Sequence, residues 1–460
     1  MATLTLSTLA ALLVSPAAAS AAEPTRSDQW QLAALDMATA WQYADGAGVT
    51  VAVLDSGVDA SHPDLAGQVL PGIDLVDGTT KDGRADPVGH GTSVAALIAG
   101  RADDSTGAVG IAPRARILPV RVLDTGNKYD DAAVVARGLR WAVDQGASVV
   151  NMSLGGAARS AEVAAALRYA GSRNVVVIAC TGNSGVDPSG SDRVWYPARE
   201  LGVVAVAGLA AGPADAAAPG AGAADRATAD NDREAPRGAT AEGEETESAS
   251  GSGGAAKHLW PGSLTGPQTV LTAPGANLLG ARPGGYWRVQ GTSFAAPLVT
   301  ATAALIRSRW PTMSAANVIN RLVHTARDLG VDGRDDRYGY GEVNPVGALT
   351  WPVAEVGANP LVGGAAPAGP DRAPTPPAQP TPPFPPTPSG PAQPAPSDPA
   401  GEPSASADQP AAARTDGWAR WRLASGLAAG AVVLAILLLV GLGRLRRRWP
   451  GSGGPQSPVD

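Results

Sequence analysis

Between about Asp28 and Thr350 the chain alternates short apolar, β-branched runs with stretches of helical periodicity, and this alternation constrains the fold more than any other feature. Strands are expected at Val49–Leu54, Ile117–Val122, Ser148–Met152, Asn174–Cys180 and Val203–Ala207, with helices at Thr92–Ala99, Asp130–Gln145, Ser160–Ser172, Ser293–Arg309 and Ser314–Thr325. Runs that are apolar throughout suit strands buried on both faces, and parallel strands need a long crossover, usually a helix. The pattern therefore predicts an α/β fold of three layers, with a parallel β-sheet between helices. Open sheets of this kind bind ligands beyond the C-terminal ends of their strands, so residues at strand ends and helix starts become the first functional candidates.

Three such places carry reactive groups. Val51-Ala-Val-Leu-Asp55-Ser56-Gly57 ends an apolar strand in a carboxylate, Gly89-His90-Gly91-Thr92-Ser93 starts a helix with an imidazole, and Gly291-Thr292-Ser293-Phe294-Ala-Ala-Pro297 starts another with a hydroxyl. A serine hydroxyl is a weak nucleophile until an imidazole takes its proton, and the imidazole in turn needs a buried carboxylate to fix its tautomer. Capping alone would explain a serine before a helix; the combination with the other two segments points to catalysis. Asp59 and Asp64 are nearby rivals of Asp55, which the strand-end position favours. His62, His258 and His324 lie in settings that suggest no catalytic part.

The chain order Asp55, His90, Ser293 resembles that of the subtilisin-like serine proteases, and other arrangements of the same triad run in different orders. The resemblance covers about 320 residues. It implies peptide-bond hydrolysis through an acyl-enzyme, with Asp55, His90 and Ser293 as the triad. Thr181-Gly182-Asn183 matches the segment that supplies an oxyanion-stabilising amide, from Asn183, and Ser153, Leu154, Gly155 and Gly156 match the edge on which an extended peptide lies as an added strand. The resemblance implies no cofactor for this chemistry and leaves a structural calcium open. Asp332-Gly-Arg-Asp335-Asp336 has the composition of a calcium loop without its regular ligand spacing, which favours a capped turn.

The flanks set the location. An apolar run, Leu4 to Val14, followed by small residues to Ala22 reads as a signal peptide over 1–22, although no Lys or Arg precedes it. The protease domain is expected over 23–350, interrupted at 210–257 by an Ala-, Gly-, Asp- and Glu-rich insert with too little apolar surface to offset its ordering entropy. That insert reads as a mobile loop, with acidic docking or autoprocessing as the sharper alternative. A Pro-rich linker at 351–417 suits an extended stalk. The uncharged run at 423–442 would reach the roughly 30 Å needed to cross a bilayer as a helix. The Arg-rich segment 443–460 then forms a cytoplasmic tail, leaving the catalytic domain outside the cell membrane.

Signal, protease domain, Pro-rich stalk, single membrane helix and basic tail together resemble the mycosins, the membrane-anchored subtilases of type VII secretion. That likeness implies a protein or peptide substrate and type VII secretion membrane subunits as partners. The alternative is a structural stabiliser of a membrane secretion complex whose proteolysis is dispensable. A net charge of −7 disfavours nucleic acid as a partner. The lone cysteine, Cys180, rules out an intramolecular disulfide, and its apolar strand setting favours packing over reactivity.

Overall fold

The computed structural model describes residues 26–79, 81–102, 106–185, 192–212 and 257–362. The expected signal peptide, most of the acidic insert, the linker beyond 362, the apolar run 423–442 and the basic tail lie outside the described residues. Among the described residues no helix is long and apolar enough to cross a membrane.

Eight strands form the main sheet: β1 (Thr50–Asp55), β2 (Ile73–Asp74), β3 (Arg116–Arg121), β4 (Val149–Met152), β5 (Val176–Cys180), β6 (Val204–Ala211), β7 (Lys257–Leu259) and β8 (Leu271–Pro274). Their order is β2-β3-β1-β4-β5-β6, all parallel, and the outer edge of β6 is shared between parallel β8 and antiparallel β7. The central strands are buried along their length, as their unbroken apolar runs require. A separate antiparallel hairpin joins β9 (Leu278–Arg282) to β10 (Gly285–Val289).

The helices are α1 (Trp30–Ala34), α2 (Met37–Ala40), α3 (His90–Ala99), α4 (Ala132–Asp144), α5 (Ala161–Ser172), α6 (Thr292–Arg309), α7 (Ala315–His324) and α8 (Pro345–Thr350). Local chemistry starts several of them: the Asp131 side chain caps α4, Ser160 caps α5, Ser314 caps α7 and Asn344 caps α8, each accepting from a backbone N–H of the first turn. From β1 the chain crosses through α3 to β3, then returns through α4 to β4 on the other side of β1. Right-handed crossovers running in opposite directions place α3 and α4 on opposite faces. Accordingly α4 packs with α5, and α3 packs with α6.

Two boundaries differ from expectation. Ala210 and Ala211 continue β6 and pair with His258 and Lys257, so regular structure reaches into both ends of the expected insert. Small alanines suffice there because the pairing is made by backbone, and Lys257 is fixed by an ion pair with buried Glu342 at 2.5 Å. Residues 351–362 also pack on the domain: Asn320 donates to Ala354 O and Asn359 donates to Gly202 O.

Candidate active site

Asp55 closes β1, fully buried, and His90 opens α3 at 5% exposure. The two meet because the end of β1 and the first turn of α3 lack side chains where they cross. A Cβ on Gly91 would lie 2.0 Å from Gly57 O, and one on Gly57 would lie 2.1 Å from Ala85 O. Across this gap His90 Nδ1 donates to Asp55 Oδ1 at 2.7 Å, and the Ser56 N–H donates to the same oxygen at 2.8 Å. With its proton on Nδ1, the imidazole turns the lone pair of Nε2 outward as a base. The rival carboxylates are engaged elsewhere: Asp59 accepts from Ser61, and Asp64 accepts from Ala108 N and the Tyr286 hydroxyl. His62 likewise serves the fold, capping a short turn through Asp64 N and lying edge-on to Tyr286.

Ser293 is the second residue of α6, and Phe294 beside it sets its ring 5.1 Å from that of His90. Pro297, inside α6, has no N–H to give to the carbonyl of Ser293 four residues earlier. Ser153 Oγ replaces that donor at 2.6 Å and itself accepts from Asn151 Nδ2, so the loop after β4 is tied to the backbone of the serine. The Ser293 hydroxyl is held less closely. Its contacts among the described residues are Ser153 O at 3.4 Å and Cys180 Sγ at 3.8 Å. Cys180 is fully buried at the end of β5, and burial pushes its thiol up to about 11.

Asn183 follows β5 in a loop that reaches the start of α6. Its Oδ1 accepts from Thr292 N and Thr292 Oγ1, both at 3.0 Å, which fixes the amide orientation. Nδ2 has no partner among the described residues and is left as a donor beside Ser293. Of the four residues expected to form the peptide-binding edge, Ser153 and Leu154 are buried, Ser153 pointing inward to α6. Gly156 pairs with Tyr196, which leaves Gly155 with both backbone groups unengaged by any described residue.

No three His, Cys, Asp or Glu side chains converge among the described residues. The Asp332–Asp336 stretch is a capped turn: Asp335 accepts from Arg337 N and Tyr338 N, and Asp328 accepts from Gly333 N. Sequence reasoning missed Ser56, Asp86, Thr92 and Thr292, whose hydroxyl and carboxylate groups hold the reactive residues in place. An Asp four residues before a helix-starting His is a capping signal that could have drawn attention to Asp86.

A doubly covered parallel sheet that brings a serine, a carboxylate-bound imidazole and an amide donor together at its strand ends has the architecture of a serine hydrolase. The comparisons agree and are narrower. A family model described as the Subtilase family matches residues 46–341. Subtilisin DY from Bacillus licheniformis is 33% identical over 298 residues, covering 65% of this chain and 88% of the relative. The structure of MycP3 protease from the type VII (ESX-3) secretion system is 29% identical with a TM-score of 0.52, covering 70% of this chain and 88% of that one. Fervidolysin from Fervidobacterium pennivorans, a keratinolytic enzyme related to subtilisin, is 29% identical with a TM-score of 0.57; the match covers 71% of this chain and 46% of fervidolysin. The chain belongs to the subtilase family and is a serine endopeptidase.

Proposed function

We propose that the protein cuts peptide bonds through Ser293, His90 and Asp55 at the outer face of a cell membrane, in association with type VII secretion. The observation that carries the chemistry is the 2.7 Å bond from His90 Nδ1 to buried Asp55, with Ser293 at the head of the adjoining helix. Ser293 Oγ rotates onto His90 and forms a bond to the scissile carbonyl carbon as its proton passes to Nε2. The oxyanion takes hydrogen bonds from Asn183 Nδ2 and the Ser293 amide. His90 then gives its proton to the departing amine as the C–N bond breaks, and water, deprotonated by His90, releases the acyl group. The incoming peptide lies against Gly155.

The likeness to MycP3, a protease from a type VII secretion system, supports the secretion reading, as does the order of signal, linker, apolar run 423–442 and Arg-rich tail in the sequence. The domain would then stand outside the membrane. Ser293→Ala tests the chemistry: the folded variant should lose all labelling by a fluorophosphonate, and undiminished labelling would remove Ser293 as the nucleophile. Complementing a deletion strain with the same variant tests the secretion role, since restored secretion would mean that scaffolding is sufficient.

A further inference from the structure

Thirty positions on from Ser56 a second carboxylate is buried in the same corner, and nothing in the mechanism above uses it. Asp86 is 7% exposed and lies in the loop before α3. Its Oδ1 accepts from Ser56 Oγ at 2.8 Å, Val88 N at 3.0 Å and Gly89 N at 2.8 Å. Its Oδ2 accepts from Thr92 N at 2.8 Å and Thr92 Oγ1 at 2.6 Å. These five bonds join residues on either side of His90 to the residue next to Asp55.

Ser56 is the hinge of this arrangement. Its Oγ lies 2.8 Å from Asp86 and 3.2 Å from Asp55 Oδ1, while accepting from Gly91 N at 3.1 Å. A hydroxyl has one proton to give. The shorter distance assigns it to Asp86, so Asp55 Oδ1 is left to the Ser56 N–H and His90 Nδ1. Asp55 Oδ2 is buried and has no partner among the described residues, so every described bond to the Asp55 carboxylate falls on Oδ1.

We propose that Asp86 is a positioning residue of the active site, which holds the Ser56 hydroxyl away from Asp55 and clamps both flanks of His90 so that the imidazole keeps an undivided carboxylate partner. The inference rests on the triad reading above. Were Asp86 neutral, the Ser56 hydroxyl could turn to Asp55 Oδ1 and compete with His90, and a buried negative charge beside the imidazole would be lost. Both changes disfavour the imidazolium form. The other ionisable groups around His90 do not substitute for Asp86. The Asp59 carboxylate is bonded to Ser61, Arg282 on β9 lies with its alkyl chain near Gly89 and its guanidinium over Trp287, and the Cys180 thiol is neutral below about 11.

The test measures the second-order rate of fluorophosphonate labelling of Ser293 from pH 5 to 9, together with thermal unfolding, in the full chain and in Asp86→Asn, Ser56→Ala and the double variant. An asparagine keeps the size of the side chain but turns a donor toward donors. Asp86→Asn should label about 10- to 100-fold more slowly at neutral pH, the scale of loss from slight misplacement of a catalytic group. Its acid limb should move to lower pH, a displacement that structural loosening alone would not produce. Ser56→Ala should slow labelling without moving the limb, and the double variant should be no slower than Asp86→Asn. A folded Asp86→Asn with the parent rate and pH profile would overturn the proposal. If Asp86→Asn does not fold, Asp86→Ser takes its place, and a folded Asp86→Ser with the parent rate and pH profile would overturn the proposal instead. Failure of the unaltered protein to label would overturn the triad reading, and the role of Asp86 with it.

Discussion

The two sides of the active site are built to different tolerances. On the acid–base side, Asp55, His90, Ser56 and Asp86 are joined by bonds of 2.7–2.8 Å, and all four residues are buried. On the nucleophile side the backbone is held as firmly, through Ser153 Oγ to Ser293 O and Asn183 Oδ1 to Thr292 N, yet the reactive hydroxyl's contacts among the described residues lie at 3.4 and 3.8 Å. The difference follows from what each group does during turnover. Imidazole and carboxylate must keep one geometry while a charge appears and disappears between them, and low dielectric surroundings reward fixed partners. The serine oxygen must move among base, substrate and acyl product, so its backbone is fixed and its hydroxyl is left free to rotate.

The most severe way to break the contrast is Asp55→Asn. An asparagine with its oxygen at the Oδ1 position keeps both the Ser56 N–H and the His90 Nδ1 bonds but carries no charge, so the imidazolium that forms as Ser293 gives up its proton loses its buried counter-charge. The expected loss is about 10⁴-fold in kcat with KM little changed. Steady-state kinetics on a peptide substrate, with a urea titration to confirm folding, checks it. A fall of less than tenfold would mean that the charge of Asp55 is not what stabilises the His90 imidazolium.

The nucleophile side can be tested through its backbone. Ser153→Ala takes away the donor that replaces the missing N–H of Pro297, leaving the Ser293 carbonyl without its partner at a cost of about 1–3 kcal/mol. Pro297→Ala restores the helical donor. Placed together, the two substitutions should be less destabilising than the sum of their separate effects, because the new N–H serves the carbonyl that Ser153 abandons. Urea unfolding of the two single variants and the double variant measures the coupling. Strict additivity would show that Ser153 and Pro297 do not act on a shared carbonyl.

These two sides were not equally readable in the sequence. Asp55, His90 and Ser293 stand at junctions of strand or loop with helix, each with its own local pattern, and the five expected strands and five expected helices reappear as β1, β3, β4, β5, β6 and α3 to α7 with small shifts of their ends. Apolar periodicity carried all of these. It was silent on β2, which is two residues long, on β8, which ends in a proline, and on the β9–β10 hairpin, whose Pro283-Gly284 turn stands between short, mixed strands. The supporting polar groups were harder still. Asp86 reads locally as an ordinary turn residue, and its meaning depends on Ser56, 30 positions away in sequence. Ser153 looked like part of a binding edge because its glycine-rich neighbours do, whereas its side chain turns inward, a fact that depends on Pro297 in a helix encoded far downstream.

Cys180 gives the smallest effect and sharpens the comparison most finely, since its thiol is the group on which the free hydroxyl rests. Burial raises it to about 11, even though contacts with Ser293 and Thr292 act in the other direction. In an unfolded chain a thiol ionises near 8.5. Between these values the folded protein keeps a proton that the unfolded chain gives up, so this residue makes stability fall as pH rises from about 8.5 toward 11 and contributes no pH dependence below that window. Urea unfolding of the parent protein and Cys180→Ala at pH 7 and pH 10.5 isolates the contribution, because tyrosines that ionise in the same range are common to both. The parent should lose more stability than the variant between the two pH values, and iodoacetamide at pH 8 should leave the native thiol unmodified. Alkylation at the rate of an exposed thiol would place solvent beneath Ser293, and the loosely held hydroxyl would then reflect an open floor to the site instead of a neutral, dry one.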